Sequence, residues 1–210
     1  GLILNLMHSE WPELLNMNYV NCMVTPIIKA VHTNNVKSFY TLTDYNDWKG
    51  KKDNNKWKIK YYKGLGTSTA KEAKEYFKNL KVNQYITEGL TDESMVLAFK
   101  KTEADQRKGW LKKYNEEEIL DYNEEETRIE DFVHKELIHF SNADNMRSIG
   151  SCIDGLKMSQ RKILFSCFKR KLYSEIRVAQ LSGYVSEQAA YHHGEMSLQG
   201  AIVGMAQNFV

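Results

Sequence analysis

Residues Tyr191-His192-His193-Gly194-Glu195-Met196-Ser197 place two adjacent histidines, a glycine and an acid where a helix is expected to begin. Imidazole exchanges protons near neutral pH. Free N–H groups at a helix start, helped by cationic side chains, hold phosphates. Just upstream, from Lys157 to Arg177, seven basic residues meet one acid. Together these residue types suit chemistry on a phosphodiester. A lone histidine is most often structural or merely exposed, but a tandem pair before Gly-Glu is harder to assign to packing.

Three other stretches carry charge in useful places. Asp154-Gly155 is a turn signal, and Lys157, Arg161 and Lys162 then cluster at the start of a helix. Such a cluster does not help a core, so it belongs to the surface or to a site. In Lys60-Tyr61-Tyr62-Lys63-Gly64-Leu65-Gly66-Thr67-Ser68-Thr69 a strand ends, two glycines allow close backbone approach, and a helix opens its N–H groups. Lys63 adds a positive charge there, although glycines also make ordinary strand-to-helix turns. Finally, Arg107 and Lys108 beside Trp110 suit a grip on a nucleic-acid backbone; solvated cations on a helix are the alternative.

The elements that must position these groups can be read coarsely. Ile3, Leu6, Met7, Trp11 and Leu14 recur at helical spacing. Val20 to Val31 reads as a strand with Pro26 near an edge. A second short strand is expected at Ser38 to Leu42, then a helix capped by Thr43 and running through Trp48. Trp57 to Tyr62 alternates as a strand, and Thr69 with Glu72 has capping-box spacing for a helix over about 70–80. This order predicts an α/β arrangement for residues 1–80. Residues 81–113 are mixed, with a helix near Asp105 to Tyr114. Glu116 to Asp131 holds nine acids and one base and reads as a spacer or solvated face. Beyond Ile129 short helices follow, at 160–168, 176–181, 186–190 and from about Glu195. The last carries Leu198, Ile202, Met205 and Phe209 on one face. Short helices with tight turns fit a helix-turn-helix or winged-helix unit.

Composition bounds the reading. A chain of 210 residues with 42% hydrophobic content and two prolines is long enough for a real core. A net charge of +2 carries no argument for a nucleic-acid partner, which must rest on local patches. The three cysteines, Cys22, Cys152 and Cys167, form no Cys-x-x-Cys pair, which disfavours a disulfide framework or zinc site and suits a reducing compartment. No apolar run is long enough to span a membrane. The start lacks the basic leader and cleavage site of a signal peptide. Both ends are expected to be interruptions of a longer protein.

Taken in order, the four stretches resemble the type IIA DNA topoisomerases of eukaryotic pattern. Tyr62-Lys63-Gly64-Leu65-Gly66-Thr67-Ser68 resembles a signature of the TOPRIM domain, and Arg107-Lys108 before Trp110 resembles a DNA-contacting pair. Asp154-Gly155-Leu156-Lys157 followed by Arg161-Lys162 resembles a third motif, and Tyr191 to Ser197 a fourth. Met158 and Gly150 depart from the family, which favours proline at both places. Loss of proline at a helix start is expected to loosen the helix entry without removing its charges.

The resemblance implies an α+β chain: the C-terminal part of TOPRIM with a DNA-contacting extension over 1–115, an acidic linker over 116–130, and the first part of a mostly α winged-helix domain over 131–210. It implies an enzyme that passes one duplex through a transient double-strand break, using 5′-phosphotyrosyl links, as a homodimer on a gate segment of double-stranded DNA. Mg²⁺ and ATP serve the full-length enzyme. Their ligands, and the nucleophilic tyrosine, are expected outside this chain, so no residue here is assigned to a metal or to nucleophilic attack. Carried over by position, His193 and Arg161 are the catalytic candidates; Lys63, Arg107, Lys108, Lys157, Tyr191 and Ser197 are the DNA-contacting ones. The same resemblance implies a location in the nucleus or, for a large DNA virus, in the host cytoplasm or viral replication site. The contrasting reading is a catalytically silent DNA-binding or scaffold subunit of a split topoisomerase.

Overall fold

The computed structural model of the chain describes residues 1–50, 56–62, 67–122, 124–191 and 194–208. Two compact units divide it, Gly1–His139 and Phe140–Val210.

The first unit opens with α1 (Leu2–Glu10) and α2 (Pro12–Asn16). Pro12 starts α2 at a position whose N–H has no helical partner in any case. The expected single strand over 20–31 is instead two strands in different sheets, β1 (Asn21–Met23) and β2 (Ile28–His32). Pro26, which has no N–H to give a ladder, lies in the crossing between them. β2 is the middle of an antiparallel sheet, with β3 (Asn35–Phe39) on one side and β4 (Lys58–Tyr61) on the other. α3 (Leu42–Gly50) follows β3, and its first turn is held by Thr41, whose Oγ1 accepts from Asp44 N at 3.1 Å, rather than by Thr43. Ile28, Ala30, Phe39 and Tyr45 form the core of this sheet, with the Trp48 and Trp57 rings 5.3 Å apart against it.

α4 (Ala70–Lys78) begins at the capping box read from sequence: Glu72 N donates to Thr69 Oγ1, and Thr69 N donates to Glu72 Oε2 at 2.7 Å. Two elements escaped the sequence reading here, β5 (Val82–Ile86) and α5 (Thr91–Phe99). α6 (Ala104–Lys112) lies where a helix was expected.

The expected acidic linker is no linker. Leu120 is buried, and β6 (Glu126–Arg128) pairs in parallel with β5, which also pairs antiparallel with β1. Its acids from Glu116 to Glu126 are exposed, Glu130 accepts from Leu90 N at 3.1 Å, and Thr127 and Ile129 are buried. α7 (Ile129–Phe132) runs through one π turn, Val133–Leu137, into α8 (Ile138–Ser148). Ile129 and Val133 are fully buried with Leu4, Leu15, Met95 and Trp110. Each such side chain removes apolar surface worth roughly 1.5–3 kcal/mol. The π turn places His134 beside Trp110, whose indole N–H donates to His134 Nδ1 at 3.1 Å.

In the second unit α9 (Met158–Arg170), α10 (Val178–Ala189) and α11 (Glu195–Ala206) pack around Ile163, Leu181, Val185, Tyr191, Leu198 and Ile202. The two short helices expected at 176–190 are one. Phe209, expected on the apolar face of the last helix, lies outside the described residues. This three-helix core suits the helical part of a winged-helix unit.

Candidate nucleic-acid interface

The turn before α9 is built from hydrogen bonds that its sequence supplies. Gly155, at φ +71°, donates to Ser151 O at 2.8 Å, and Asp154 Oδ1 accepts from Leu156 N at 3.0 Å. Arg161 Nη2 donates to both oxygens of Asp154 at 2.7 Å. The Leu156 N–H, and then the Arg161 guanidinium, hold the Asp154 carboxyl below the usual carboxylate range despite partial desolvation. Gly150 closes against this turn: a Cβ there would stand 2.6 Å from the Gly155 carbonyl oxygen. Gly150 therefore suits this turn in a way that a proline would not.

The basic cluster at α9 is thus divided in its work. Arg161 braces the turn. Lys162 Nζ donates to Ala190 O at 3.1 Å, tying α9 to the end of α10. Lys157 is exposed, and among the described residues no ion pair holds its ammonium. Its backbone N–H donates to Gln160 Oε1 at 2.8 Å, which secures the helix entry where Met158 stands.

At α11 the backbone is also special. Ala190 takes a left-handed conformation at φ +46°, and Gly194 lies at φ +88° and ψ 147°, a region open in practice to glycine alone. Tyr191 is buried in the helical core, with its hydroxyl 3.5 Å from Ser197 Oγ in the first turn of α11. The sequence-expected Tyr191 and Ser197 are therefore brought together at one helix start. His193 and Lys63 lie outside the described residues.

In the first unit, Arg107 donates to the carbonyl oxygens of Leu97 at 3.1 Å and Lys100 at 2.7 Å, closing the C-terminal end of α5. Lys108 is exposed and, among the described residues, pairs with Asp105 at 2.7 Å. Trp110 is in the core and offers no face to a ligand.

One cluster was not legible as a unit. Glu72 accepts from Lys60 Nζ at 2.9 Å and from the Tyr62 hydroxyl, in addition to Thr69, and buried Lys29 lies 3.9 Å away. Burial opposes charge on Glu72. Lys60, the Thr69 N–H and Tyr62 outweigh it, and its pKa falls to about 2. Burial and this carboxylate push Tyr62 up to about 12. Glu72 so fastens the end of β4 to the start of α4. The capping-box spacing was the only signal of it.

The comparisons with known proteins bear on these same stretches. Residues 23–145 match the family model of the C-terminal associated domain of TOPRIM, and residues 147–210 match that of the A subunit of DNA gyrase/topoisomerase IV. The chain belongs to the type II DNA topoisomerase family. Over its whole length it is 47% identical to DNA topoisomerase 2-alpha of Rattus norvegicus and 50% identical to mitochondrial DNA topoisomerase 2 of Dictyostelium discoideum. It spans 15% and 17% of those relatives. The crystal structure of the Plasmodium falciparum topoisomerase II DNA-binding, cleavage and re-ligation domain superposes with a TM-score of 0.85 at 44% identity, covering 100% of this chain and 29% of that one. The topoisomerase fold is thus present through both units, TOPRIM-associated in the first and helical in the second.

Proposed function

We propose that this chain is part of the DNA cleavage and religation core of an ATP-dependent type II DNA topoisomerase, working as a homodimer on a double-stranded gate segment. The observation that carries the reading is the match of the whole chain to the topoisomerase II cleavage domain. In this reading Lys157 and Lys108 meet DNA phosphates as exposed cations, with Lys63 and Arg107 as further candidate contacts. Ser197, exposed in the first turn of α11, meets the DNA backbone, and Tyr191, buried beneath it with its hydroxyl 3.5 Å from Ser197 Oγ, acts there by positioning that hydroxyl. His193 donates to, or moves a proton at, the scissile phosphate, and Arg161 supports the same site from α9.

Mg²⁺ and ATP belong to the full-length protein, where the metal supplies charge stabilisation at the leaving oxygen. Among the described residues no group of three or more His, Cys, Asp or Glu is placed to hold a metal ion.

The test uses the full-length protein, supercoiled plasmid, Mg²⁺ and ATP, with denaturant trapping of covalent adducts. The expected result is relaxation with a protein linked to 5′ DNA ends. DNA binding without any adduct overturns the reading in favour of a silent scaffold. Within the active protein, His193→Ala is expected to slow cleavage by roughly 10²–10⁴-fold with a much smaller effect on binding, and His192→Ala to be milder. Equal defects in the two variants would remove His193 from the chemistry.

A further inference from the structure

In the first unit a cleft of about 1120 Å³ opens between the β3–α3 corner and the acidic stretch that follows α6. It exceeds the ~300–1,000 Å³ that small ligands fill. Tyr40, Tyr114 and Tyr122 line it, as do the carboxylates of Asp47, Glu116 and Glu117. No side-chain hydrogen bond or ion pair joins those three carboxylates to another described residue. The lysine lining the cleft, Lys135, is already neutralised by Asp131 at 2.6 Å.

We propose that this cleft docks a lysine- and arginine-rich peptide segment of a protein partner. Uncommitted carboxylates repel phosphate, which turns this surface away from DNA. Tyrosine rings attract ammonium and guanidinium groups over their faces. Tyr40 already does so: Lys81 Nζ, from outside the cleft lining, stands 4.3 Å from its ring centroid. Rings and carboxylates together match side chains that are apolar along the stem and cationic at the tip. The volume suits several such side chains on one strand of peptide rather than a single amine. None of the described residues proposed to contact DNA lines the cleft.

The experiment is fluorescence anisotropy of a labelled peptide of alternating arginine and serine with the full-length protein, at near-physiological salt. Saturable binding is expected. The triple variant Asp47→Asn, Glu116→Gln, Glu117→Gln is expected to weaken it roughly tenfold. A control removing three charges from the same stretch but off the cleft, Glu124→Gln, Glu125→Gln, Glu126→Gln, is expected to stay within about twofold of the parent. Equal losses in the two triple variants would mean diffuse attraction and overturn the proposal. So would absence of saturable binding, or spermine binding that follows the cleft variants while the peptide does not. Unchanged duplex-DNA affinity in the cleft variant is the matching expectation; a parallel loss of DNA binding would equally overturn it.

Discussion

Arg161 holds both carboxylate oxygens of Asp154 from a single nitrogen, Nη2, at 2.7 Å. A cation that reads in sequence as free for phosphate is therefore the brace of its own helix entry, and Lys157 is left as the exposed charge beside it. Lys157→Ala is expected to weaken DNA binding by the full-length protein about equally across sequences, and to make the log–log salt dependence shallower by roughly one unit. Arg161→Ala is expected to lower the melting temperature as well, because Asp154 loses its partner. An unchanged slope in Lys157→Ala, or an altered sequence preference, would end the phosphate role of Lys157.

Arg107 is expected to act first on stability. Its guanidinium satisfies two carbonyls at the end of α5, so Arg107→Ala leaves acceptors open that water reaches only in part. Hydrogen bonds from charged donors contribute about 1.5–3 kcal/mol, and partial exposure places this site toward the lower end. Thermal denaturation reads the loss. A variant as stable as the parent, with weakened DNA binding alone, would reassign Arg107 to the nucleic acid.

Glu72 sets an acid limit on the β4–α4 connection. Its pKa is depressed to about 2 in the folded chain, below the ordinary glutamate value, so its contribution is complete above the ordinary value and is lost as pH falls toward 2. Glu72→Gln removes that contribution at neutral pH. The variant is expected to show a flatter stability profile than the parent between about pH 4.5 and 2. Parallel acid profiles for the two proteins would contradict the cluster described around Glu72.

The start of α11 gives a pair of opposite backbone effects. Gly194→Ala is expected to cost about 1–3 kcal/mol, and the cost is conformational, since nothing lies within 4 Å of an added Cβ. Ala190→Gly relieves a left-handed alanine worth roughly 1–2 kcal/mol, less some entropy in the unfolded chain. Chemical denaturation distinguishes the two; a neutral Gly194→Ala would mean that this helix start relaxes to another conformation.

Local chemistry was legible and long-range pairing was not. The Thr69–Glu72 capping box and the start of α11 follow from residues within one turn of each other and lie where the sequence puts them, while α9 begins at Met158, two residues ahead of the expected 160. The strand over 20–31 was misread as continuous because Val, Ile and Thr run on either side of Pro26, and nothing local says that β1 answers to β5 while β2 answers to β3 and β4. The acidic stretch looked like a spacer because its charge hides a few inward positions. β6 is three residues long, and its order comes from β5, some forty residues away. Arg161 and Arg107 show the same limit at the site: a basic residue is plain in sequence, but the acceptor that occupies it is not.

The placement of the indoles makes the chain a selective optical reporter. The four tryptophans, Trp11, Trp48, Trp57 and Trp110, all fall before Phe140. Trp48 and Trp57, at 87° to one another, report on the small antiparallel sheet, and Trp110 on the main core through its bond to His134. In this chain, intrinsic fluorescence excited at the indole band therefore comes from side chains of the first unit alone, whereas far-ultraviolet dichroism sees the helices of both. Divergence between those two melting curves is a direct spectroscopic measure of whether the helical unit unfolds on its own.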